Sequence, residues 1–182
     1  MRPGKAKKIG LDYKDLLLIN SKIVYCSISA FGQDGPLSKR GAYDHIVQGM
    51  SGIMTTTGTK ESGPTKVGAP YIDYSTGLNA AFAITAALHE VKQNDKPIKL
   101  DVCMLDTSFL LMANMVTEHL NSGWIPTPMG NEAQSNSPSS GLYQTQTSPI
   151  LLAANNDVQF NSLCDALNTI SSFDKKKWRL SS

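Results

Sequence analysis

The 182-residue chain has little of what builds covalent or metallic frameworks. Its three cysteines, Cys26, Cys103 and Cys164, lie far apart with no CxxC spacing. That excludes a disulfide framework and a zinc site and fits a reducing cytosol. The three histidines, His45, His89 and His119, form no HxH or HExxH pattern, so no metal is expected. Seventeen basic against fifteen acidic residues leave a formal charge of only +2, too little for a broad nucleic-acid-binding surface. No apolar run approaches a membrane span, and the amino terminus lacks the apolar core of a signal peptide. The expectation is a cytoplasmic protein with no nucleic-acid or membrane partner. Internal repeats are also absent.

What is present is an ordinary soluble composition, 41% hydrophobic and 18% charged, long enough for one domain or parts of two. Basic residues gather near both ends, at Arg2, Lys5, Lys7 and Lys8 and again at Lys175–Lys177 and Arg179. The second cluster reads as a solvated tail. A short helix with Tyr13, Leu16 and Leu17 on one stripe leads into Lys22–Ser29, whose β-branched and aromatic residues read as a buried, parallel strand. The loop Phe31–Pro36 follows at that strand's carboxyl end, where open α/β sheets bind ligands. A helix is expected from about Arg40 to Met50, with Tyr43, Asp44 and His45 bunched at its start. Ser51–Gly68 reads as a long surface loop of a length that is often functional. Asp73 is expected to cap a helix reaching about Lys92. Its Gly and Ala residues allow close packing, and Leu78, Phe82 and Leu88 are expected to fill the core.

Ile98, Leu100, Val102 and Met104 alternate with more polar neighbours, the period of a strand. From Asp106 the spacing turns helical, with Phe109, Leu110, Ala113, Val116 and Leu120 on one face up to about Asn121. Asp106 thus falls at a strand-to-helix junction, at or next to the N-cap. Free backbone N–H groups and the helix dipole there favour a carboxylate. An ionised carboxylate can attack an activated carbonyl. It can also do no more than cap a helix, and position by itself leaves both roles open. Trp124–Ser140 reads as a linker, Gly141–Thr145 with Ile150–Ala154 as a hairpin, and Asp157 as the start of a helix with Phe160, Leu163, Cys164 and Leu167 on one face.

Several ordered stretches resemble the class III CoA-transferase family, which includes formyl-CoA transferase, the carnitine CoA-transferase type and the α-methylacyl-CoA racemases. They are Arg2-Pro3-Gly4, Ile23–Pro36, Tyr43–Gly52, Pro64–Gly68, the Ala-rich helix, Val102–Asp106 and Asn155–Phe160. The resemblance implies an α/β fold: part of a Rossmann-like large domain over residues 1–123, a linker over 124–140, and the start of a small α+β domain over 141–182. It implies a dimer of interlocked subunits and transfer of CoA between an acyl-CoA and a carboxylic acid. The aspartate matching Asp106 forms an aspartyl–acyl mixed anhydride and CoA thiolate leaves. Such an intermediate must be kept from water. Coenzyme A, as the acyl-CoA substrate, falls to Arg2, Lys8, Arg40, Tyr43 and Asp44. Lys8 stands where family members usually carry arginine, and Tyr43 with Asp44 matches a tyrosine–acid pair.

The racemase branch has a histidine where this chain has Tyr43. His45, two places on at a helix start, is expected to face elsewhere, so one of the two bases of a racemase is missing. Family members also carry a nucleotide-binding half ahead of Arg2-Pro3-Gly4, the rest of the small domain, and a Gly-rich turn where this chain has Asn94–Pro97. The expectations are therefore a CoA-transferase, working alone or with a separately encoded complementary chain. The alternatives are an inactive, truncated remnant of one and, third, a racemase-like isomerase.

Overall fold

The structure, a computed structural model, describes residues 1–133 and 137–167. The centre of the expected linker and the carboxyl-terminal basic cluster lie outside the described residues.

Strands β1 (Val24–Ser29) and β2 (Ile98–Cys103) pair in parallel, from Val24 opposite Ile98 to Ser29 opposite Cys103. Parallel neighbours need a long crossover. Here it carries α2 (Asp44–Ser51), a short 3₁₀ turn at Ile53–Thr56, and the long α3 (Tyr71–Asn94), which packs on both strands. Helix α1 (Tyr13–Ile19) precedes β1, while α4 (Met104–Leu111) and α5 (Ala113–Ser122) follow β2. This is the expected α/β arrangement. Because α3 runs back to the start of β2, its own first turn lies at the carboxyl ends of the strands. The core joins Ala30, Phe31, Val47, Ile53, Ile72, Met104 and Met112. These elements make one compact unit, Met1–Thr57 with Pro64–Thr127.

Four local expectations change. β1 is not a buried strand: Ser29 is buried, its first four residues are half-buried and Ile28 is exposed. Among the described residues only β2 pairs with it, so no flanking strand shields it. Helix α3 begins at Tyr71, two residues before Asp73, and Pro70 holds the N-cap position. Leu78, Phe82 and Leu88 do not fill the core; they are 74%, 75% and 56% exposed. The buried face of α3 instead carries Ile72, Thr76, Ala80, Ala87 and Val91, whose small members bring the helix close to the sheet. Finally, the stretch after β2 is two helices. The chain leaves helical geometry at Met112 (φ −105°, ψ 21°), which buries that side chain in the core.

The second unit groups Gly58–Gly63 with Pro128–Ser182. Gly130 N–H donates to Gly58 O at 2.6 Å, which ties the two stretches together. Strands β3 (Ser140–Tyr143) and β4 (Ile150–Ala153) form the expected antiparallel hairpin, followed by α6 (Asp157–Ala166). Asn156 caps α6 through its Oδ1, which accepts Gln159 N–H at 3.0 Å. A cavity of about 530 Å³ lies between hairpin and helix, lined by Leu152, Phe160, Leu163 and Cys164 among others.

Candidate active site

The parallel register brings the ends of β1 and β2 together, and the segments that follow them touch. Leu105 N–H donates to Ala30 O at 3.1 Å, joining the start of α4 to the loop after β1. That loop is held by Asp101, whose Oδ2 accepts Gln33 N–H at 2.6 Å. Gly32 has φ +82°, and a Cβ there would stand 3.4 Å from the same oxygen, so the turn suits glycine.

Asp106 is the third residue of α4 and is exposed. It is not the cap. The N-cap residue is Cys103, whose Sγ accepts the Asp106 N–H at 3.3 Å. Thr107, buried, donates from Oγ1 to Cys103 O at 2.9 Å and receives a bond from Asn79 Nδ2 of α3 at 3.4 Å. The residue before Asp106's turn and the residue after it are thus pinned, while the carboxylate faces outward. Burial pushes the Cys103 thiol up to about 11, opposed by the Asp106 N–H that it accepts and reinforced by the nearby Asp106 charge.

Tyr43 and Asp44 divide at the start of α2. Asp44 is buried, with both carboxylate oxygens engaged. Oδ2 accepts Ile72 N–H at 2.9 Å and Asp73 N–H at 3.2 Å, capping α3 from another helix, and Oδ1 accepts from Gln48 Nε2. Gln48 passes the connection on, its Oε1 taking Val67 N–H at 2.9 Å. Tyr43 is exposed and stacks on His45, with ring centroids 6.2 Å apart and planes 4° from parallel. The expectation that His45 faces elsewhere is therefore corrected: a helical start put the two rings side by side because Tyr43 lies just outside the helix, in extended geometry.

Among the basic residues, Arg2 donates from Nη1 to Lys39 O at 3.4 Å and lays its stem along Gly41. This places Arg2 beside the turn that carries Arg40. Lys8 sits on a separate short turn, Lys7–Ile9, and is exposed. A cavity of about 390 Å³ beside Arg2 is bordered by Tyr25, Ser27, Gln33 and Lys99. Among the described residues no cluster of His, Cys, Asp and Glu is placed to hold a metal, and no helix is long and apolar enough to cross a membrane. Sequence reasoning missed Cys103, Thr107 and Asp101 as site-shaping residues. The signal for Cys103 was available: it stands three places before an acidic residue, the spacing of a capping box.

The chain is 38% identical over 177 residues to a succinate–glutarate CoA-transferase of Agrobacterium fabrum, an alignment covering 97% of this chain and 44% of that one. It is 35% identical to an acetyl-CoA:oxalate CoA-transferase of Acetobacter aceti, over 91% of this chain and 43% of the relative. A crystal structure of a CaiB/BaiF family protein from Brucella suis superimposes with a TM-score of 0.81 at 36% identity, covering 91% of this chain and 44% of that one. The chain thus spans less than half the length of each. The family model described as CoA-transferase family III matches residues 1–180. With that match running through both strands, the crossover and the Asp106 junction, the chain belongs to CoA-transferase family III.

Proposed function

We propose that the chain serves transfer of CoA between carboxylic acids, with Asp106 as nucleophile. The observation that carries this reading is the exposed Asp106 carboxylate on the first turn of α4, at the shared carboxyl end of the parallel strands. An Asp106 oxygen attacks the thioester carbonyl; the new C–O bond makes a mixed anhydride, the C–S bond breaks, and CoA leaves as thiolate. The acceptor carboxylate is then activated in turn. Arg2 and Arg40, on adjoining segments, and Lys8 suit the phosphates of CoA; Arg offers a fork and Lys a point charge. Tyr43 lines the acyl site. Asp44 shapes it by fixing the start of α3, since its oxygens are already engaged.

The domain limits at 123 and 140 belong to this reading, as does a cytoplasmic location. So does assembly, as a homodimer or with a separately encoded complementary chain. The outer face of α3 supports it: Tyr74, Leu78, Phe82 and Leu88 are all exposed on a helix whose other face is buried. A helix apolar on both sides is built to be covered on both sides.

The test is trapping. The purified chain, alone and with the portion of a family enzyme beyond the matched length, is incubated with succinyl-CoA or acetyl-CoA and hydroxylamine. Mass spectrometry should find a hydroxamate at Asp106 in the wild type and none in Asp106→Asn. No label under any of these conditions ends the reading; if calorimetry then shows no saturable CoA binding either, the chain is a remnant. The stacked His45 gives the isomerase reading one supporting observation. Exchange of the Cα proton of a 2-methylacyl-CoA in heavy water, without hydroxamate, would select it.

A further inference from the structure

We propose that the outer edge of β1 is a strand-addition site, taking one extended segment, parallel to β1, from the part of a family enzyme that this chain does not span. The inference rests on the complementary polypeptide of the reading above and gives it a place; it does not depend on Asp106 as nucleophile. It starts from a sheet of two strands. Parallel strands are ordinarily buried among neighbours. Among the described residues, however, β1 pairs with β2 alone, and its Ile28 is 41% exposed.

The ladder shows which backbone groups are left over. Ile98 N–H donates to Ile23 O at 3.0 Å. Backbone groups alternate in direction along a strand, so Ile23, Tyr25 and Ser27 turn theirs to β2 while Val24, Cys26 and Ile28 turn theirs away. One contact agrees with this assignment: the Met1 amino group donates to Ile28 O. Among the described residues no other hydrogen bond reaches the outward groups of Val24, Cys26 and Ile28. A row of open donors and acceptors is a template for a further strand.

This edge also has room beside it. The cavity of about 390 Å³ is bordered by Tyr25, Cys26, Ser27 and Ile28 in succession. Successive side chains point to opposite faces, so a cavity that touches four in a row runs alongside the strand. The rest of its lining includes Gly4, Ala6 and Leu16, from the segment that leads into β1. A slot lined in this way admits a single strand, and not the edge of a second copy whose β1 is lined alike. Direction follows from the connection. Met1 stands at the carboxyl end of the edge, and residues 2–22, with α1, lead back to the start of β1. A strand ending where Met1 lies would run parallel to β1. Residues 2–22 would then be its crossover, which needs about a dozen residues or more. Lys99 also borders the cavity and makes no ion pair among the described residues, so an acidic side chain suits the position facing it. The alignments leave more than half of each relative uncovered, enough chain to supply such a strand.

Amide exchange tests the edge. It is read residue by residue by NMR on the isotope-labelled full chain, with and without the portion of the Agrobacterium fabrum CoA-transferase beyond the matched length. Exchange at Val24, Cys26 and Ile28 should slow by about tenfold or more on addition, while Tyr25 and Ser27, already turned to β2, should change far less. Ile28→Pro removes one outward donor and leaves the β2 ladder intact, and an edge tolerates proline. It should weaken binding by about tenfold, the order of one net hydrogen bond. Association that leaves the three outward amides exchanging as before overturns the proposal and assigns assembly to another face, such as that of α3. No association overturns it as well. The trapping assay reads the other claim separately. Hydroxamate with unprotected edge amides upholds the nucleophile and removes the strand site, and protected amides without hydroxamate do the reverse.

Discussion

Tyr71, the first residue of α3, has a phenolic oxygen that is buried and, among the described residues, meets no hydrogen-bond partner. Burial and the nearby Asp44 carboxylate push this phenol from 10.0 up to about 12. Cys103 is raised in the same sense, from 9.0 to about 11, chiefly by burial. Both groups are held protonated in the folded state. Their contribution is therefore fully present below the unfolded values and is lost as pH climbs through the folded ones. The melting temperature should fall between pH 9 and 12, the window spanned by these two groups. Tyr71→Phe should blunt the upper part of that fall, in thermal melts followed by circular dichroism. Near neutrality the same variant should be neutral or stabilising, because it removes a buried hydroxyl that has no partner among the described residues. A clear loss of stability there would show that the hydroxyl is satisfied.

At the level of elements, one side chain connects three segments. Asp44 of α2 caps α3 through two backbone N–H groups and holds Gln48, which in turn holds Val67. Removing it leaves donors at the start of α3 unpaired in a buried place. Asp44→Ala should destabilise by about 2–3 kcal/mol, the sum of a lost cap and an unsatisfied buried donor. A change below about 0.5 kcal/mol in chemical denaturation would mean that water replaces the carboxylate, as at an ordinary surface site. The tyrosine–acid pair expected from family resemblance is thus split by the fold. Tyr43 is exposed, whereas Asp44 works inside the protein. Adjacent residues at a helix start point in different directions, and the sequence spacing does not reveal which of them is turned inward.

Across the whole molecule, α3 carries two apolar faces. The inner one, with Ile72, Ala80, Ala87 and Val91 buried, holds the crossover to the sheet; the outer one, with Leu78 and Phe82, is open. Leu78→Ser with Phe82→Ser should leave the unfolding free energy within about 0.5 kcal/mol per site, as expected for residues with few contacts. The same pair should reduce self-association or binding of a complementary chain, measured by analytical ultracentrifugation. A large loss of stability in the monomer would instead restore the expectation that these residues fill the core.

The sequence by itself determined the family, the parallel strand pair with its long crossover, the hairpin and α6, and the placing of Asp106 at a strand-to-helix junction. These follow from local periodicity and from ordered motifs, which survive without three-dimensional information. Only the tertiary structure decided which face of α3 is inward, that the helix after β2 breaks at Met112, that His45 lies against Tyr43, and that Cys103 rather than Asp106 caps α4. The reason is physical: an alanine-rich helix with large apolar residues on both sides has no unique inner face until it packs, and a cap is chosen by which side chain reaches the free N–H groups once strand and helix are joined.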